Sequence, residues 1–183
     1  MHLSAKMLPT ITFSTVWLLA AICRAEQKTT TDCSKLPKSI APQSCCRFPE
    51  PFQNPILNEC YNLHSDIGQC FVECLFNRSG ICRQGKCSYQ RAIDYLEREI
   101  ALQQSAFKDI YKRAFKKCIA KANDVLGNIV KRFSRHGCHP LPEIIRFCVR
   151  NEMFTSCPKS YWNDKVAGCS KKRDFIRNCI KDN

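Results

Sequence analysis

Cys70-Phe71-Val72-Glu73-Cys74 lies near the end of a proline-free stretch, Glu59 to Phe76, that spaces Leu63, Ile67, Cys70, Phe71 and Cys74 as a helix would. Residues four apart on a helix share one face, so Cys70 and Cys74 stand one turn above the other. A helix carrying two sulfurs on one face is stapled to two other parts of its chain. The stretch therefore predicts a helical, cross-linked fold.

Upstream, Cys33 to Asn58 holds Pro37, Pro42, Pro49, Pro51 and Pro55. Their density argues against a long helix and predicts an irregular, proline-rich arm held by Cys33, Cys45, Cys46 and Cys60. Downstream, Asn77 to Cys87 is a turn region with Gly80 and Gly85. Ser88 suits the cap of a helix with Tyr89, Ala92, Ile93, Leu96 and Ile100 inward, and with Asp94 and Arg98 as a surface charge pair. A longer pattern runs from Ser105 towards Phe133 through Phe107, Ile110, Tyr111, Ala114, Phe115 and Cys118. It continues through Ile119, Ala122, Leu126, Ile129, Val130 and Phe133. Asn123, Asp124 and Gly127 weaken its middle, so one helix and two helices with a bend both fit.

Gly137 stops that run. Pro142 opens a further helix to Phe154, since proline is welcome in a first turn, and Pro158 closes it. Ser170 caps a last short helix ending near Ile180. No segment alternates with period two as a half-buried strand would. The expected class is all-α, a compact disulfide-stapled domain of about six to eight helices, without internal repeat or second domain.

The chain begins with a basic residue, Lys6, and a mostly apolar stretch ending Val16-Trp17-Leu18-Leu19-Ala20-Ala21-Ile22, then Cys23-Arg24-Ala25. This reads as a secretory signal peptide over 1–25, cleaved after Ala25, with residues 26–183 as a single domain and Glu26 to Thr31 as its short leader. Export of that domain leaves 14 cysteines, an even set that reads as a disulfide framework in an oxidising compartment. Lys6 and Arg24 leave with the signal, so 27 basic residues face 16 acidic ones, a net charge of +11. Such a balance suits anionic partners but also simply keeps an exported protein in solution. We expect a secreted, extracellular protein with no stable membrane insertion and no nucleic-acid partner, as monomer or homodimer.

Catalytic chemistry finds few residues to carry it. A phospholipase needs a histidine just after a paired cysteine, but Cys45-Cys46 is followed by Arg47-Phe48-Pro49. A ribonuclease needs two histidines facing across a scissile bond, and His136 and His139 share one short loop. Cys82 and Cys87 have a spacing that zinc accepts, yet an oxidising compartment favours a bridge. We therefore expect no enzyme, no metal and no cofactor. Phe107 to Arg135 carries nine Lys or Arg and two acidic residues on the side opposite its apolar stripe. A lipid-surface helix is built that way, but so is the wet face of an ordinary globular helix. Cys118, within the apolar stripe, favours the second.

The cysteine spacing resembles that of insect odorant-binding proteins of the Plus-C subgroup. That framework has Cys-x3-Cys as its second and third cysteines and Cys-x8-Cys as its fifth and sixth. Here Cys70-Phe71-Val72-Glu73-Cys74 and the segment Cys148 to Cys157 fit both. The subgroup adds a cysteine ahead of the fifth, a proline after the sixth and two cysteines beyond, as Cys138, Pro158, Cys169 and Cys179 do here. Cys118 falls where the fourth is expected, with 43 residues between it and Cys74. Cys82 and Cys87 are surplus to the pattern. They flank the four-residue turn Arg83-Gln84-Gly85-Lys86, so we expect them to pair with each other.

The resemblance implies pairing of Cys70 with Cys148, of Cys118 with Cys157, and of Cys74 with Cys45, Cys46 or Cys60. It also implies a helical shell around an apolar cavity that takes up odorants or related semiochemicals. Such a carrier delivers them through aqueous lymph to an olfactory receptor, or meets another carrier of its family. Candidate cavity walls are Phe115, Ile119, Leu126, Val130, Phe133, Phe147, Met153 and Phe154. Periodicity alone equally makes each of them plain core. The competing class is a cationic secreted protein acting on membranes or polyanions, in saliva, venom or defence. Asn77-Arg78-Ser79 is, besides, an acceptor triplet for an N-linked glycan.

Overall fold

Two of the arm's prolines start helices. A computed structural model describes residues 31–35, 37, 40–65, 68–100, 105–133 and 137–180, with side chains of the long helix only as far as 124. In it Pro42 and Pro55 fall in the first turns of α1 (Pro42–Cys45) and α2 (Asn54–Leu63). A proline there gives up an N–H that has no helical partner anyway. The expected single helix over Glu59 to Phe76 is instead two. α2 ends at Leu63, Gly68 caps α3 (Gln69–Arg78), and the Cys60–Cys74 bridge clasps the pair. Ile67 and the expected signal peptide lie outside the described residues.

A small hairpin follows, β1 (Cys82–Arg83) against β2 (Lys86–Cys87). Both central residues of its turn have positive φ, Gln84 at 50° and Gly85 at 72°, the conformation of a two-residue hairpin turn. A Cβ on Gly85 would come within 3.0 Å of the His139 ring, so glycine serves both the turn and the contact. The Cys82–Cys87 bridge closes the hairpin as expected.

Ser88 caps α4 (Tyr89–Glu99), its hydroxyl accepting from the Arg91 N–H. Asp94 takes an amide hydrogen bond from Gln90, and Arg98 turns to Glu99 and the Tyr95 ring. The long pattern forms one helix, α5 (Ser105–Phe133), followed by α6 (Leu141–Thr155) and a 3-10 turn, Lys159–Tyr161. α7 (Cys169–Phe175) continues into a wider π turn, Ile176–Ile180. Gly168 rather than Ser170 caps it, at a φ of 92°, where a Cβ would stand 2.7 Å from Ile40. Among the described residues the fold is thus all-α apart from the hairpin, and no helix is long and apolar enough to cross a membrane.

The core gathers where α3, α4, α5 and α6 meet the arm. Phe76, Phe115, Tyr111, Tyr95 and Phe52 are at most 4% exposed, with Phe52 and Phe76 ring centres 5.4 Å apart. The Tyr111 hydroxyl donates to the Pro49 carbonyl, and the Gln53 N–H donates to the Tyr95 hydroxyl at 3.3 Å. Two tyrosines therefore hold a segment that has few backbone hydrogen bonds of its own.

The bridges depart from the expected pairing by one cysteine. Cys70 pairs with Cys138, Cys118 with Cys148, and Cys157 with Cys46. The reason is the placement of α6. Its start lies beside the start of α3, where Gln69 donates to the Cys138 carbonyl at 2.6 Å and the His139 N–H donates to Glu73 at 2.9 Å. Its middle faces α5, and the chain past its end reaches the arm. Cys45–Cys169 and Cys33–Cys179 complete the attachment of the arm to the C-terminal segment.

Candidate functional site

Ile144 and Ile145 are neighbours on α6, about 100° apart around the helix. Ile145 is fully buried and continues through Val149 and Met153 into the core. Ile144 begins a different stripe, Ile144, Phe147, Cys148 and Asn151, at the i, i+3, i+4, i+7 spacing of a single face. It looks across at Lys117, Cys118, Lys121 and Ala122 of α5, again residues one turn apart. Ile176 and Ile180 of the C-terminal turn form the third side.

Together these three stripes enclose a groove of about 230 Å³. Its walls are apolar, and the Cys118–Cys148 bridge forms part of them. Lys117, Lys121, Asn151 and Glu152 border it. Lys117 donates to Glu152 at 2.9 Å, joining α5 to α6 at that border. The groove is open on one side, and Phe147 is 60% exposed although it lines the wall. An apolar cavity of about 150 Å³ admits benzene, while sites for drug-sized ligands run about 300–1,000 Å³. The groove therefore has the size for a small apolar molecule.

Among the described residues, the opposite side of the α5–α6 pair is closely packed. A void of about 20 Å³ is lined by Phe115 together with Phe48, Phe52, Phe76, Tyr111 and Val149, with Glu50, Arg146 and Arg150 at its edge. Burial pushes the Tyr111 phenol well above the usual range, so it stays a neutral donor. Of the expected wall residues, Phe147 lines the groove and Phe115 only this small void. Ile119, Met153 and Phe154 are buried in packed core, Phe154 against Trp162 at 5.4 Å between ring centres. The side chains of Leu126, Val130 and Phe133 lie outside the described residues. Sequence reasoning missed Ile144, Ile176, Ile180 and Ala122. The available signal was the spacing of Ile144, Phe147 and Cys148 at i, i+3 and i+4, a second apolar stripe beside that of Ile145, Val149 and Met153.

The basic face of α5 is extensively engaged. Glu97 of α4 binds both Lys108, at 2.9 Å, and Lys112. Those two lysines, Lys112 foremost, hold the Glu97 carboxyl down at about 2. Lys116 stands 6.0 Å from the centre of the Tyr89 ring. Elsewhere, Asn77 is exposed on the last turn of α3, while the Ser79 hydroxyl of its acceptor triplet donates to the Phe76 carbonyl at 3.1 Å. No protein-family model matches this chain, and no curated protein matches it either.

Proposed function

We propose that this chain is a secreted carrier that holds a small hydrophobic molecule in the groove between α5, α6 and the C-terminal turn. The observation that carries the reading is the groove itself, an apolar hollow beside a disulfide-locked helix pair that the described residues leave unfilled. Apolar transfer supplies the binding energy, about 0.8 kcal/mol for each CH₂ removed from water. Seven bridges suit a protein that keeps its shape in an oxidising, extracellular setting.

The bridge topology supports similarity to odorant-binding proteins. With Cys60, Cys70, Cys74, Cys118, Cys138 and Cys148 counted first to sixth, the first joins the third, the second the fifth and the fourth the sixth. That is the interlacing the resemblance implies, except that Cys138 and Cys148 take the fifth and sixth places instead of the Cys-x8-Cys pair Cys148 and Cys157. In that reading the ligands are odorants or related semiochemicals, delivered through aqueous lymph to an olfactory receptor. The protein is then a binding module with no catalytic step.

Titration with a neutral, environment-sensitive apolar dye tests the proposal. We expect saturable binding to a single class of site, displacement by small apolar volatiles, and little dependence on salt, because apolar transfer is not screened. A folded protein that binds no apolar probe at micromolar concentration, but binds anionic vesicles in a salt-sensitive manner, would overturn it.

A further inference from the structure

We infer that Asn77 carries an N-linked glycan, attached while residues 77–79 are still unfolded, and that the formation of α3 closes the site to later modification. The inference rests on the secreted part of the proposed function, because only a chain entering the secretory pathway meets the transfer machinery. Asn77-Arg78-Ser79 is the one Asn-x-Ser/Thr triplet in the chain. Asn77 stands exposed on the last turn of α3, and its side-chain amide makes no hydrogen bond among the described residues. The buried stripe of that helix is Phe71, Val72, Leu75 and Phe76. A glycan on Asn77 therefore displaces water and no packed side chain. No residue of α3 lines the groove, so the modification and the ligand site occupy separate parts of the surface.

The other end of the triplet is placed differently. An acceptor triplet is read through its serine or threonine hydroxyl as well as its asparagine. In the fold Ser79 is 8% exposed, and its hydroxyl donates to the Phe76 carbonyl at 3.1 Å. The Ser79 N–H donates to the Leu75 carbonyl, and the Gly80 N–H to the Asn77 carbonyl, each at 3.0 Å. The triplet is thus wound into the end of the helix with its hydroxyl engaged inside. The Cys60–Cys74 bridge, three residues ahead of Asn77, clasps that helix to α2. Transfer accordingly precedes α3. In the unfolded chain the Asn77 amide nitrogen bonds to the anomeric carbon of an oligosaccharide carried on a lipid diphosphate. The bond from that carbon to the diphosphate oxygen breaks, the lipid diphosphate leaves, and the amide gives up one proton.

Mass spectrometry of the full chain secreted by cultured animal cells tests the site. We expect a mass excess of one oligosaccharide that peptide-N-glycosidase removes. The excess should be lost in Asn77→Gln and in Ser79→Ala, and kept in Ser79→Thr. Asn77→Gln alters only an exposed side chain, so its loss of the excess does not report a failure to fold. The order of events is tested on unglycosylated protein refolded from bacteria and offered the purified transferase with a lipid-linked oligosaccharide. The folded, oxidised protein should stay unmodified, while the reduced and alkylated chain should gain the glycan at Asn77. Secretion without a mass excess overturns the inference and leaves the carrier reading to the dye titration. An excess unchanged in Asn77→Gln overturns the assignment to this residue. Equal modification of the folded and the reduced chain overturns the order. Retention of the whole chain inside the cells overturns both the inference and the secreted reading.

Discussion

The two sides of the α5–α6 pair are made from the same helices and the same kinds of residue, yet one is filled and the other is not. On the core side, α3, α4 and the arm bring Phe76, Tyr95 and Phe52 against Phe115 and Val149, and only about 20 Å³ is left over. On the other side, among the described residues, the cover is the short C-terminal turn, whose Ile176 and Ile180 leave about 230 Å³ between themselves and the two helices. A long helix with two apolar stripes needs two partners. Here the second partner is too small to close the gap, and the hollow that results has the chemistry of a binding site.

Substitutions at Phe115 and Phe147 should separate the two sides most widely. Phe115 is 1% exposed within packed aromatics, so Phe115→Ala should cost about 3–5 kcal/mol in denaturant unfolding. Phe147 is 60% exposed, and Phe147→Ala should change stability by no more than about 0.5 kcal/mol while weakening apolar dye binding. Comparable destabilisation by the two would mean that the groove is packed core after all.

A smaller contrast lies in the bridges. Cys118–Cys148 spans 30 residues and forms part of the groove wall, whereas Cys82–Cys87 spans 5 and closes a hairpin. Replacing both cysteines of the first by alanine should cost ~2–4 kcal/mol and weaken dye binding. The same replacement in the hairpin should fall at or below the low end of that range, because a short loop restricts the unfolded chain least, and should leave binding intact. Calorimetric unfolding and dye titration of the two double variants make the comparison.

The smallest effect concerns charge on the wet face of α5. Lys112 and Lys108 hold Glu97 at about 2, below the ordinary 4.5. An acid depressed in the folded state stabilises above its unfolded value and loses that contribution as pH falls through its folded one. The thermal midpoint of the native protein should therefore exceed that of Glu97→Gln most clearly near neutral pH. The difference should shrink between about pH 4.5 and 2 and diminish in high salt. A gap that grows on acidification would contradict the pairing.

Much of this arrangement was legible in the sequence where periodicity had a single answer. Phe107, Ile110, Tyr111, Ala114, Phe115, Cys118, Ile119 and Ala122 were read as one inward stripe, and all are buried. Local closure was equally readable, as Cys82 and Cys87 show. The break between α2 and α3 was missed because apolar spacing continued across it, although Gly68 marked the new helix start. Bridge partners between distant segments were not legible. Whether Cys138 or Cys148 meets Cys70 depends on which part of α6 lies beside α3, and spacing along the chain does not encode that. The groove was half legible. Phe147 was found, but periodicity cannot tell a residue facing a neighbour from one facing a hollow, and the lysines on the groove's α5 border read simply as solvent-facing.

Ile144 and Ile145 provide the most direct test, because they report the two sides of one helix from adjacent positions. Isotope-edited NMR of the protein saturated with an apolar ligand should show intermolecular contacts to the methyl groups of Ile144, Ile176 and Ile180, with none to Ile145, Ile119 or Met153. Contacts to Ile145, Ile119 and Met153, with Ile144 silent, would place the ligand in the core and contradict the assignment of the groove.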